Sequence, residues 1–165
     1  MKFEDYLGSL EKKLESYYDI EKNIDYRGIK IDLLATFHVK SERYILTKKA
    51  KIFGIENNEY CFIKSFSELD TQGYEQYTDL LKDAIIDYVN PHEEHMSSLI
   101  TGVLVVDNSC NQDFINRIEK FKFHKSFAFG FKGWVDIALV LVLLDKGEVI
   151  TNKKGKEVSK AYQIS

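Results

Sequence analysis

The segment Gly130-Phe131-Lys132-Gly133-Trp134-Val135-Asp136 sets two glycines, a lysine, the single tryptophan and an isolated carboxylate between two apolar runs. Glycine inside a strand marks a bulge or the close approach of another backbone. An Asp136 buried there needs a partner such as Lys132, Lys125 or a hydroxyl, because an unpaired buried carboxylate is costly or neutralises itself. The plainer reading is a strand junction at which Asp136 reaches solvent at the sheet edge. A site in this chain is expected around Asp136, Lys132 and Trp134, faced by Asp32 or His38 from the polar side of an early strand.

Other reactive groups are more scattered. His92-Glu93-Glu94-His95 spaces two imidazoles three residues apart after Pro91. A metal would need further ligands from Glu93, His38 or His124, and the spacing is not that of a zinc-binding HExxH helix. A solvated loop is the plainer assignment. Cys110 precedes an expected helix start at Asn111, where helix N-terminal charge favours a thiolate, whereas Cys61 reads as a small core residue. No nucleophile elbow or phosphate-cradling glycine loop is present. No metal and no cofactor is implied.

Charge is unevenly spread, although the net formal charge is only −3. Lys48, Lys49 and Lys51 form one candidate basic patch with Lys153 and Lys154 from the C-terminal region. Glu75, Asp79, Asp83 and Asp87 recur every four residues, so they line one stripe of a helix. That stripe reads as a solvated face, or as an acidic surface that meets a basic one in a partner or a second copy. Phe123, Phe127, Phe129 and Phe131 share one parity and are expected to form a sheet face covered by helices. If exposed, they would suit base stacking with single-stranded nucleic acid.

The elements that carry these groups follow from periodicity. With 165 residues, 44% hydrophobic and 30% charged, the expectation is a single globular domain over 1–165. Apolar residues at helical spacing predict a helix over residues 2–20. Strict alternation predicts a strand from Tyr26 to Arg43, followed by strands at Tyr44–Ile55 and Tyr60–Phe66. A helix to Val89 follows Ser67-Glu68-Leu69-Asp70, with Gly73 weakening its first turn. Leu99–Val106 is a strand covered on both faces, and a helix containing Phe114 and Ile118 comes next. Strands at Phe123–Phe131, Trp134–Leu144 and Glu148–Thr151 and a short terminal helix over Lys156–Ile164 complete the order α-βββ-α-β-α-βββ-α. The fold class is α/β (α+β), a single mixed β-sheet of about six or seven strands flanked by helices.

The order helix, three-strand meander, helix, buried strand resembles the core of restriction-endonuclease-like nucleases. That resemblance implies Mg²⁺ held by an Asp on the second strand and by an acid two residues before a Lys on the third, with the Lys orienting the attacking water. The expected second strand carries Lys48, Lys49 and Lys51 but no acid, and Phe62 stands two residues before Lys64. Asp32 and Asp136 are the candidate replacements, which makes any such metal site degenerate.

These failures favour a non-enzymatic cytoplasmic binding or assembly module, with a protein partner or self-association. The alternative is a nucleic-acid-acting protein using Asp32, Asp136 and Lys64, and a further alternative is a small-ligand domain around Trp134. The charged N-terminus lacks a signal-type apolar run, and two cysteines outside any CxxC pattern are expected to be reduced. No membrane partner is expected, since the most apolar stretch, Val135–Leu144, is too short to span a bilayer.

Overall fold

The structure is a computed structural model that describes residues 1–41, 55–93, 95–108 and 110–164. The first helix, α1 (Phe3–Leu14), carries Glu4 and Asp5 in its first turn and Lys12 and Lys13 in its last, matching the helix dipole at both ends. Tyr6, Leu10 and Leu14 lie four residues apart and form its buried stripe.

The expected helix stops there, because the chain enters an additional strand, β1 (Asp19–Tyr26). Arg27 (φ 50°) and Gly28 (φ 81°) then form the two-residue left-handed turn that suits a tight hairpin, with Gly28 N–H donating to Asp25 at 2.9 Å. β2 (Ile29–Ser41) returns antiparallel, and β3 (Ile55–Phe66) pairs antiparallel with it. The meander is therefore made of β1, β2 and β3. The strand expected at Tyr44–Ile55, with Lys48, Lys49 and Lys51, falls almost wholly outside the described residues.

Two parallel crossovers follow. α2 (Thr71–Tyr88) joins β3 to β4 (His95–Val106), and α3 (Gln112–Lys120) joins β4 to the central β6 (Trp134–Leu143). Asp70 caps α2 by accepting from Gly73 N–H at 2.7 Å, so Gly73 lies inside the first turn and does not delay the helix. Asn111 caps α3 in the same way through Phe114 N–H. Gly102 in β4 lies under α2: a Cβ there would come within 2.4 Å of Leu81 Cδ1.

Among the described residues the sheet has seven strands, six of them in the order β1-β2-β3-β4-β6 and then β5 (His124–Ser126), with the seventh off this path. β5 and β7 (Glu148–Thr151) both pair with β6. Tyr77, Leu81 and Ala84 of α2 and Phe114 and Ile118 of α3 pack with Phe62, Leu104, Ile137 and Leu139 in one apolar cluster. The second cluster holds α1 and the C-terminal Tyr162 against Leu33, Ile63, Val103 and Val140. The fold is α+β, with a mixed sheet and helices packed on it. In place of the expected terminal helix the chain makes two 3-10 turns, Lys154–Glu157 and Ser159–Tyr162. No described helix is long and apolar enough to cross a membrane.

The largest departure from expectation lies in the phenylalanine-rich segment. β5 spans only three residues, and Phe127–Gly133 forms a compact turn instead of a continuing strand.

Candidate functional site

β5 is antiparallel to the start of β6, with His124 opposite Asp136 and Ser126 opposite Trp134. Backbone bonds close this ladder from Phe127 N to Gly133 O and from Ile137 N to Phe123 O. The His124–Asp136 and Ser126–Trp134 pairs therefore occupy the non-hydrogen-bonded positions, where opposed side chains approach most closely. His124 Nδ1 meets Asp136 Oδ1 at 2.6 Å, and His124 Nε2 meets Ser126 Oγ at 3.2 Å. With Nδ1–H donating to the carboxylate, Nε2 accepts from the serine hydroxyl. This is the order of groups that polarises a serine in acyl transfer. Here it also ties the three-residue β5 to β6. Asp136 Oδ2 in addition faces Lys154 Nζ at 3.7 Å. Burial works against the Lys154 ammonium, yet its hydrogen bond to Glu157 and the charge of Asp136 leave its pKa above the ordinary lysine value.

The adjoining turn is the most exposed apolar feature of the described surface. Ala128 (φ 48°) and Phe129 (φ 57°) are both left-handed, and Gly130 N–H donates back to Phe127 O at 2.9 Å. A bulky residue rarely adopts that conformation, and each such residue costs about 1–2 kcal/mol. Phe127 keeps its ring half-buried against the core beside His95. Phe129 is 101% exposed and Phe131 82% exposed. The expected helix-covered face of four phenylalanines thus divides: Phe123 and Phe127 pack on the core, while Phe129 and Phe131 project outward. Phe131 points to solvent and does not close over the half-buried Trp134. The turn is nevertheless held firmly, since buried His95 donates from Nδ1 to Lys132 O at 2.7 Å and bonds Ser98 Oγ through Nε2 at 2.8 Å. His95 belongs to β4, not to a solvated loop.

Behind Asp136 lies a cleft of about 320 Å³ whose wall includes Phe121, Phe123, Lys153 and Lys154. It sits where β6 is bare between β5 and β7. Asn152 closes most of that gap. Its Oδ1 accepts from Leu139 N and Gly155 N, and its Nδ2 donates to Phe121 O and Ile137 O. A Cβ on Gly155 would meet Leu139 O at 2.7 Å, so the close approach requires glycine.

Asp32, Lys64 and His38 do not join Asp136. Asp32 lies on β2, the second strand, and accepts from both the backbone N–H and the hydroxyl of Ser65. Lys64 donates to Lys30 O. The ladders carry Leu33 to Ile63, Val103 and Val140, so Asp32 lies beyond the far end of that row from Asp136. His38 aligns with Asn58, Ser98 and Val135, three strands from β6, or about 14 Å. It is exposed and bonds Asn58 Oδ1 through Nδ1. Burial pushes the Cys61 thiol up to about 12, and Cys110 is also raised by burial, against the expected thiolate. Among the described residues no three His, Cys, Asp or Glu side chains gather as a metal-ligand set.

A family described as a domain of unknown function, DUF8052, matches residues 2–164. The chain belongs to the DUF8052 family. No curated protein and no solved structure matches it. The family match spans the aromatic turn, the Asp136 pair and the Asn152 plug. Two features of this DUF8052 chain escape sequence reasoning. His124 is hidden as Asp136's partner by the strand pairing, and Asn152 looks like an ordinary loop residue. The Asn152-x-x-Gly155 spacing is the signal that could have found the plug, because an Asn side chain commonly accepts from a backbone N–H a few residues on.

Proposed function

We propose that the chain is a non-enzymatic cytoplasmic binding or assembly module that docks through Phe129 and Phe131. The observation that carries this reading is a fully exposed phenylalanine on a left-handed turn that is anchored from below by a buried histidine. Strained backbone persists where the surroundings hold it, and it gathers at contact sites. Burying each of these rings against a partner contributes about 1.5–3 kcal/mol. The acids singled out from the sequence are engaged in ties within the sheet: Asp32 holds Ser65, and Asp136 holds His124.

The test is photo-crosslinking in the host cell with benzoylphenylalanine at position 129. One discrete adduct, lost when Phe131→Ser is added, is expected. Adducts no different from those formed at the exposed Tyr17 would overturn the reading.

One observation favours a second reading, a nucleic-acid-acting protein with a degenerate metal site. Asp32 is on the second strand, as the nuclease resemblance requires, while the buried Phe62 stands where the second acid would be. Fluorescence anisotropy of labelled oligonucleotides with Mg²⁺ across a salt series decides it. Salt-sensitive binding weakened by Lys153→Glu and Lys154→Glu supports that reading, and no binding at low salt removes it.

A further inference from the structure

We propose that the aromatic turn of one copy docks on the outer face of α2 of a second copy, forming a closed two-fold dimer. This rests on the binding reading above and names its occupant. Beside and within the turn, Lys125 and Lys132 are exposed, and no acid lies between Glu119 and Asp136 along the chain. The projecting rings are therefore flanked by the positive charge of these two lysines. The outer face of α2 is the complement. Glu75, Asp79, Asp83 and Asp87 follow one another at single-turn spacing, and among them Ile86 is 75% exposed.

Arg27 engages Asp83 and Asp87. Lys82 is exposed on the same face, one turn from Asp79 and from Ile86, so with Arg27 it offsets part of the stripe, whose four acids still outnumber these two cations. An apolar side chain within an acidic stripe fits a pair of phenylalanines flanked by lysines.

The placement of the two patches favours closure. α2 ends at Tyr88, and the chain then reaches β4, whose His95 holds the carbonyl of Lys132 in the turn. The turn and the C-terminal part of α2, with Ile86, accordingly belong to the end of the sheet where β4 and β6 begin, whereas Glu75 lies toward the end where β3 finishes. A two-fold axis at that end lets each turn meet the other copy's helix, so the same contact is made twice. Each phenylalanine presents roughly 200 Å². Two rings alone fall short of the roughly 800 Å² per partner of a standard interface. Doubling the contact by symmetry brings the total toward that size.

The test is sedimentation equilibrium of the full chain over a micromolar concentration series, with circular dichroism to verify folding of every variant. A reversible dimer is expected. Its dissociation constant should rise by about tenfold or more in Phe129→Ser/Phe131→Ser. Charge reversal gives a sharper result. Lys125→Glu/Lys132→Glu sets an acidic turn against an acidic helix, and Asp79→Lys/Asp83→Lys sets a basic turn against a basic helix. Each variant alone should be monomeric. Mixed together they should restore a heterodimer, because each contact in the mixture again joins opposite charges.

A chain that is monomeric throughout, or a dimer unaffected by these reversals, overturns the proposal. If the chain is monomeric but position 129 still crosslinks discretely to a different protein, this proposal fails and the binding reading stands. If position 129 also gives no discrete adduct, both fail.

Discussion

The Nδ1–H of His95 donates to the backbone carbonyl of Lys132 across 2.7 Å, so a side chain buried in β4 sets the position of an exposed turn 37 residues further along the chain. Replacing His95 with Leu keeps most of the volume and removes both polar contacts. We expect a stability loss of about 1–3 kcal/mol, since Ser98 loses its buried partner. Faster amide exchange should be concentrated at residues 128–133. Exchange monitored by mass spectrometry checks this, and uniform acceleration would refute the anchoring role.

Ala128 adopts φ 48° with no glycine to relieve it. Ala128→Gly should stabilise the fold by about 0.5–1 kcal/mol, the left-handed penalty removed less the added freedom of the unfolded chain. Urea midpoints at constant slope measure the gain. A destabilised variant would mean that the turn carries no such strain.

Asn152 replaces strand pairing along the bare stretch of β6 with four hydrogen bonds from one side chain. Asn152→Ala strands several buried backbone groups at once. A loss of about 2–4 kcal/mol is expected, read from denaturant unfolding. Asp at this position keeps the acceptor but loses the donors, so it should not restore full stability.

Asp87 accepts from the Arg27 guanidinium and from the Tyr26 hydroxyl, and these bonds hold its carboxyl at about 2, below its ordinary 3.8. The folded state therefore binds that proton less readily than the unfolded state. The contribution is complete above pH 3.8 and disappears as the pH falls toward 2. Comparing the acid unfolding of wild type and Asp87→Asn should show the curves converging in that window. Parallel curves would indicate that the pair adds nothing.

Ser126 sits at the end of a hydrogen-bonded chain that, in another setting, activates a nucleophile. On the non-enzymatic reading it should remain unlabelled by a fluorophosphonate probe. Labelling that is lost in both Ser126→Ala and His124→Gln would replace that reading with a hydrolase.

The parts of the fold that were legible from sequence are those in which a single pattern fills the element. The apolar runs of β4 and β6 announce strands covered on both faces, and the four-residue spacing in α1 announces a one-sided helix. β1 was illegible because it is an edge strand rich in charge, and left-handed Asn23 (φ 51°) interrupts its alternation. The phenylalanine segment misled for the opposite reason: its alternation is regular, yet two non-glycine residues turn left-handed within it. Asp136 and Trp134 lie beside the Phe127–Gly133 turn, where paired glycines interrupt the apolar pattern. Asp32 and His38 could not be related to them, because strand order alone decides which polar positions meet.

The outer side of β6 is divided between a three-residue strand, an amide side chain and a four-residue strand. A long uninterrupted edge is a template on which another chain can add a strand and begin aggregation. Here the most apolar strand of the molecule offers no such length. The uncharged apolar run Ile137–Leu144, a composition suited to amyloid-like stacking, is thereby shielded, even though it lies only one strand from the border of the sheet.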